Sequence, residues 1–200
     1  MNDANVGLQV CWYSGGMHLW YASDAYTVNE YLYLWTNSAN EWISQSTFTA
    51  NGHAGIGCYS WGPGTVNYAM MVNLNNDINI MWKDMNNTAQ QQTWQNVSSP
   101  ISGPFLPNTS LGYTDYFFAQ VANGSLAGYD ISFETDGTKV NSQFTIPERP
   151  LAGTQFSVTQ PNTDNGVIIF DQITGSDIVQ NTFNNATGQW PLGTNILPNA

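Results

Sequence analysis

Charged residues are scarce in this chain of 200 residues, and positive charge is almost missing. Only 8% of the residues are Asp, Glu, Lys or Arg, and 14 acids stand against three cations: Lys83, Lys139 and Arg149. Proteins that bind nucleic acid or anionic membranes draw their affinity from clustered Lys and Arg. The formal charge of −11 therefore excludes nucleic acid and anionic membrane surfaces as partners.

Long apolar runs are missing too. No stretch approaches the roughly 20 apolar residues that cross a bilayer as a helix, so we expect no membrane insertion. The start, Met1–Asn5, lacks the basic and then hydrophobic pattern of a signal peptide. Because uncharged polar residues dominate the composition, we expect an extracellular or cell-surface protein, and a cytoplasmic location stays open.

Sequence signatures of catalysis and of metal or cofactor binding are lacking. His18 and His53 stand in no metal-ligand spacing with another His or Cys, and there is no Gly-x-Ser-x-Gly turn or phosphate-binding glycine loop. Spacing selects no pair among the 14 acids for glycoside hydrolysis. We expect a protein that is not an enzyme and that holds neither metal nor cofactor. Cys11 and Cys58 allow either one disulfide or two buried thiols.

Short strands separated by turns make up most of the chain. Runs such as Leu8–Trp12 and Ile78–Trp82 are rich in aromatic and branched residues. Turn pairs such as Asn51-Gly52 and Asn123-Gly124 separate such runs at intervals of about ten residues. Eighteen Gly and nine Pro interrupt every stretch in which a helical period starts. The chain is therefore predicted to be all-β.

The predicted strands recur in four similar units. Each has a strand of small residues, an aromatic or aliphatic strand, a polar turn, another strand and a short last strand, at a period of about 45 to 55 residues. The units cover about residues 6–50, 54–98, 109–147 and 154–197 of a single domain, 1–200. Such units are typical of propeller blades, so we predict a β-propeller-like array of about four four-stranded antiparallel blades. A β-sandwich is the alternative.

Aromatic residues recur at two matched places in these units, the end of the third strand and the start of the last. The candidate ligand-binding residues are Trp35, Trp42, Trp82, Trp94, Phe183 and Trp190. An indole ring stacks on the C–H face of a sugar, while the abundant amide side chains can bond to its hydroxyl groups. Packing one sheet against the next is the other role of such rings, and we expect it for Trp12 and Trp61 on the first strands.

The second unit, with Gly55–Gly64, Ile78–Trp82 and Trp94, resembles a blade of the fungal fucose-binding lectins, and the chain end after Trp190 is similar to theirs. The resemblance implies a six-bladed propeller with a sugar between neighbouring blades. It also implies that an Arg on the second strand, a Glu on the third strand and the two matched aromatic residues hold this sugar.

The charged half of that lectin pattern is not evident in the sequence. The only Arg is Arg149, in a connector, and the residues nearest the expected Glu place are Leu32, Asn79 and Gly128. A non-enzymatic, lectin-like protein that binds neutral glycans is our first hypothesis. The alternative is a secreted structural protein, a self-assembling coat or filament subunit. Four units of a six-bladed ring leave edges unpaired, so we also expect a homo-oligomer.

Overall fold

The computed structural model describes residues 7–13, 16–34, 41–61, 66–84, 93–97, 101–134, 137–161, 166–175 and 177–197. Within these ranges the chain forms strands and no helix, so none is available to span a membrane. The strands are β1 Leu8–Tyr13, β2 Gly16–Ala22, β3 Thr27–Leu34, β4 Trp42–Thr49, β5 Ile56–Trp61, β6 Val66–Val72, β7 Ile78–Asp84, β8 Gln95–Val97, β9 Leu111–Tyr113, β10 Phe117–Gln120, β11 Leu126–Glu134, β12 Gly137–Thr145, β13 Ser157–Thr159, β14 Ile168–Gln172, β15 Ile178–Thr182 and β16 Thr194–Asn195. The all-β prediction is confirmed.

Every four consecutive strands form one antiparallel sheet in which the spatial order is the chain order. We call these sheets blades 1 to 4: β1–β4, β5–β8, β9–β12 and β13–β16. The first strands of successive blades contact one another, β1 with β5, β5 with β9 and β9 with β13. The fold is thus an array of four propeller blades, as predicted, and not the two facing sheets of a sandwich.

Alternation along the strands gives each blade two faces. We call the face toward the following blade the front face and the face toward the preceding blade the back face. In blade 1, Trp20, Ala22 and Val28 lie on the front face and share one buried cluster with Ala69 and Met71 from the back face of blade 2. Side chains with period-two burial therefore hold one sheet against the next.

The other two junctions are built in the same way. At the junction of blades 2 and 3, Met70 and Ile80 share a buried cluster with Phe117. At the junction of blades 3 and 4, Phe118 and Ile169 share a third cluster. Each junction is therefore a front face packed on a back face.

The two cysteines form a disulfide that links the first strands of blades 1 and 2, Cys11 on β1 with Cys58 on β5. The neighbouring residue Trp12 points to the opposite face and is 65% exposed. The prediction that Trp12 packs between sheets is wrong, because no described blade precedes blade 1. The side chain of Trp61 lies outside the described residues.

Candidate functional site

A buried cluster of polar side chains lies at the junction of blades 1 and 2. The carboxylate of Glu30 is fully buried, and each of its oxygens contacts one partner. His18 Nδ1 lies 2.6 Å from Glu30 Oε1, and the indole Nε1 of Trp94 donates to Glu30 Oε2, also at 2.6 Å. Both distances are short for hydrogen bonds from nitrogen to oxygen, as expected where one of the groups is ionised. His18 and Glu30 form an ion pair when the imidazole is protonated.

The strand alternation explains why a carboxylate lies inside the fold. In β3 the buried residues are Val28, Glu30 and Leu32, with partly exposed residues between them. His18 lies on the same front face of the neighbouring strand β2. Trp94 comes immediately before β8 and reaches these two residues from blade 2. The site therefore needs both blades.

A buried lysine completes the cluster. Lys83 is 2% exposed, and its Nζ lies 5.8 Å from the centre of the Trp94 ring, within the range of a cation–π interaction. Burial lowers the pKa of the Lys83 ammonium group, and the negative charge of Glu30 opposes this shift. The Trp94 ring also meets the edges or faces of three aromatic rings: His18, Trp20 and Phe48. It is therefore enclosed, not an open stacking platform.

The strand register identifies the equivalent places at the other two junctions. The hairpin pairs Ala22↔Val28, Val72↔Ile78 and Gln120↔Leu126 occupy the same position in blades 1, 2 and 3. Counting from these pairs, the place of His18 is taken by Tyr68 in blade 2 and by Tyr116 in blade 3. The place of Glu30 is taken by Ile80 and by Gly128.

On the back faces, too, the other two junctions have apolar residues at the place where the junction of blades 1 and 2 has Lys83. At the junction of blades 2 and 3, the places of Lys83 and Trp94 are taken by Ile131 and Val140, which join the apolar cluster there. At the junction of blades 3 and 4, Phe183 and Trp190 take these places. Among the three described junctions, only the junction of blades 1 and 2 has a carboxylate, an imidazole and an ammonium group at these places.

The predicted aromatic residues fall into different surroundings. Trp94 is in the polar cluster. Trp190 and Phe183 contact each other with ring centres 5.4 Å apart and pack against the hydrophobic cluster at the junction of blades 3 and 4. Trp82 packs against the core between blades 2 and 3. Trp42 is 40% exposed on the back face of blade 1, and Trp35 lies outside the described residues.

The two residues that sequence reasoning missed are Glu30 and His18. The residues that it placed nearest the Glu position were Leu32, Asn79 and Gly128, and only the first of these lies in blade 1. A sequence signal was present, because Val28, Glu30 and Leu32 alternate along one strand and a charged residue on such a buried face is rare. The partnership with Trp94 gave no such signal, since 64 residues separate it from Glu30.

A second buried carboxylate lies on the back face of blade 4. The amide Nδ2 of Asn181 donates to Asp171 Oδ1 at 2.6 Å. Asp171 Oδ2 and Asn181 Oδ1 are buried and accept no hydrogen bond from any described residue. Burial raises the pKa of Asp171 to about 6; the bond from Asn181 opposes the rise, and the charge of Glu148 adds to it.

No cluster of three or more His, Cys, Asp or Glu side chains suited to a metal ion occurs in the part of the chain that the structure describes. The polar cluster at blades 1 and 2 contains one carboxylate and one imidazole, with the Lys83 ammonium group beside them. Its chemistry is therefore that of hydrogen bonding to neutral groups rather than of cation binding.

Comparison with solved structures places the fold among the propeller lectins. The lectin AofleA from Arthrobotrys oligospora is 18% identical and superimposes with a TM-score of 0.72 over 96% of this chain and 57% of its own. The Aleuria aurantia lectin, described as a six-bladed β-propeller with a fucose recognition mode, gives a TM-score of 0.67 at 12% identity over 96% of this chain and 61% of its own. SapL1 lectin, solved with α-methyl fucoside, is 12% identical and gives a TM-score of 0.68 over 95% of this chain and 63% of its own.

Sequence comparison contributes little. No protein-family model matches the chain. An alignment over 94 positions, which covers 44% of this chain, is 32% identical to part of the LPS-assembly protein LptD from Albidiferax ferrireducens, of which it covers 11%. The chain thus spans 57% to 63% of these lectins' length and a small part of LptD. The resemblance to the fungal fucose-binding lectins is confirmed at the level of the fold: this chain has four blades of their propeller.

Proposed function

We propose that this protein is a non-enzymatic glycan-binding protein whose sugar site is the polar cluster between blades 1 and 2. The observation that carries the proposal is the Glu30 carboxylate, buried between two blades and bonded to both His18 and Trp94. The equivalent places at the other two described junctions hold apolar and tyrosine side chains or a glycine. The polar cluster is therefore a local feature and not a requirement of blade packing.

The chemistry of the cluster suits a neutral hydroxylated ligand. A sugar hydroxyl that enters between Glu30 and Trp94 accepts a hydrogen bond from the indole N–H and donates one to the carboxylate. Both protein groups then keep a partner, so exchange of their mutual bond for two bonds to the sugar leaves no buried group unsatisfied.

The strand positions of the sugar-binding residues in the lectin pattern also support a site at the polar cluster. The family pattern has an Arg on the second strand and a Glu on the third strand of a blade, and here His18 lies on β2 and Glu30 on β3. An imidazole provides fewer donors than a guanidinium group, so affinity for a fucoside should be weaker than with an Arg at this place. α-Methyl fucoside, the ligand solved with SapL1 lectin, is the first sugar to test. The disulfide fits the extracellular or cell-surface location that we propose.

The test is a glycan array, followed by calorimetric titration of wild type and two variants with the strongest ligand. Glu30→Gln removes the carboxylate charge from the candidate site and should weaken binding about tenfold or more, since hydrogen bonds to charged groups contribute about 1.5 to 3 kcal/mol. Asp171→Asn is the matched control, because it makes the same carboxylate-to-amide change at a buried position in blade 4. Equal affinity of the two variants, or an array without any ligand, would reject the proposal.

A further inference from the structure

We propose that the back face of blade 1 is a docking surface for the front face of blade 4 from a second copy of this chain. The inference concerns assembly and does not depend on glycan binding. It starts from the two ends of the blade array. The first strands of successive blades contact one another. Within the described residues, the first strand of blade 4, β13, makes no comparable contact with the first strand of blade 1, β1. The array therefore has two outer faces.

The outer face of blade 1 is apolar and exposed. On β1, Leu8 is 66% exposed, Val10 41% and Trp12 65%. By the strand register, this back face continues across the blade through Leu19, Tyr21, Tyr31, Tyr33, Trp42 and Ser44. None of these residues is charged, so the negative charge of the chain does not lie on this surface. Soluble monomers rarely expose a continuous apolar face of this kind.

The occupant follows from the way in which the chain already uses such faces. The back faces of blades 2, 3 and 4 each pack on the front face of the blade before them. A matching front face is present at the other end of the array. Phe170, Ile178 and Gln180 on blade 4 are partly exposed, whereas the equivalent residues of blade 2, Met70, Ile78 and Ile80, are buried.

The two outer faces also match in one specific pair. Trp42 lies opposite Tyr33 in the register of blade 1, and Trp94 lies beside Lys83 at the equivalent position of blade 2. Trp42 therefore occupies on blade 1 the place that Trp94 occupies on blade 2. On the front face of blade 4, Gln180 occupies the place of Glu30. Docking with these two places opposed sets the Trp42 indole N–H against the Gln180 side-chain carbonyl. That pair reproduces the Trp94 to Glu30 hydrogen bond without its charge.

The arrangement also fixes the kind of assembly. Four blades that superimpose on a six-bladed lectin occupy four of six positions in a ring, so a second copy with four blades cannot enter the same plane. It must step along the propeller axis, which leaves its own back face open to a third copy. The contact is heterologous and does not close, so we expect oligomers that grow with protein concentration.

The test is light scattering coupled to size-exclusion chromatography over a wide range of concentration. Wild type should grow in mass with concentration. Val10→Lys, which puts a charge on the back face of blade 1, and Gln180→Lys, which puts one on the front face of blade 4, should each be monomeric. Leu74→Lys is the control: Leu74 lies in the β6–β7 turn and is 52% exposed. If circular dichroism shows that Val10→Lys is unfolded, Leu8→Lys replaces it.

Mixing the two monomeric variants separates this contact from others. Each variant retains one intact face, so an equimolar mixture should form a discrete dimer with twice the mass of one chain and no larger species. A Gln180→Lys variant that still dimerises alone would show a symmetric contact and overturn the proposal. A wild type that is monomeric at every concentration would overturn it as well.

Discussion

The hydrogen bond from Trp94 to Glu30 can be tested by a pair of identical substitutions at matched places. Trp94→Phe removes the indole N–H that donates to the buried carboxylate at 2.6 Å. Trp190→Phe makes the same change at the junction of blades 3 and 4, where the indole Nε1 is buried and has no hydrogen-bond partner among the described residues. The two variants lose similar ring volume, so their difference reports the hydrogen bond.

The expected magnitudes follow from these surroundings. Loss of the larger ring should cost about 1 kcal/mol in each variant, because both rings lie in tight packing. Trp94→Phe additionally leaves a buried carboxylate oxygen without a donor, which costs about 2 to 3 kcal/mol. The free energy of unfolding should therefore fall by about 3 to 4 kcal/mol for Trp94→Phe and about 1 kcal/mol for Trp190→Phe.

Urea unfolding followed by circular dichroism measures both values. The slope with denaturant should be unchanged, so that the shift in midpoint reports stability alone. For a domain of this size, the difference between the variants corresponds to about 5 to 10 °C in Tm. Equal destabilisation by the two substitutions would show that the Trp94 ring acts only through packing, and the polar cluster would lose its proposed role.

Three further predictions concern other parts of the fold. The Cys58→Ser variant should lose about 4 kcal/mol of stability, because the disulfide closes a loop with a separation of 47 residues, and a thermal scan should show that the variant no longer responds to reducing agent. Asp171 has a pKa raised to about 6 in the folded protein, so the folded state binds more protons than the unfolded state and wild type should lose stability as pH rises from about 4 to 6. The Asp171→Asn variant should not lose stability over this pH range. At pH 7 it should be more stable than wild type by about 1 to 2 kcal/mol, because the new amide can donate to Asn181 Oδ1. Urea unfolding at pH 4 and pH 6 would contradict this if the stability of wild type and variant changed in parallel. Gly128→Ala should cost about 1 to 3 kcal/mol in chemical denaturation, because a Cβ there meets the ring of Phe144, and an unchanged midpoint would refute this packing.

The blades could be predicted from the sequence because their signals are local. Alternating strands, Asn-Gly turns and the spacing of about 50 residues between units all lie within short windows. The recurring aromatic residues were also visible, but their surroundings were not. Trp94 and Trp190 occupy the same place in their blades, and what distinguishes them is the neighbour across the junction, Glu30 in one case and Phe144 in the other.

The remaining errors have the same origin. Trp12 was expected to pack between sheets because recurring aromatic rings on the first strands can pack one sheet against the next. Local sequence does not show that no blade precedes blade 1 in the described array. Cys11 and Cys58 were equally compatible with two thiols until the first strands of neighbouring blades were placed side by side. Contacts between blades join residues far apart in the chain, so their partners follow only from the packed arrangement.

The number of sugars bound per chain tests the central claim most directly. Native mass spectrometry of the wild type with a large excess of the strongest glycan counts bound ligands on each chain. Because only one described junction has the carboxylate, imidazole and indole together, one ligand per chain is predicted at saturation, and Glu30→Gln should need about ten times as much glycan or more to reach the same occupancy. Two or three ligands per chain, or equal occupancy of wild type and Glu30→Gln at every glycan concentration, would contradict the account.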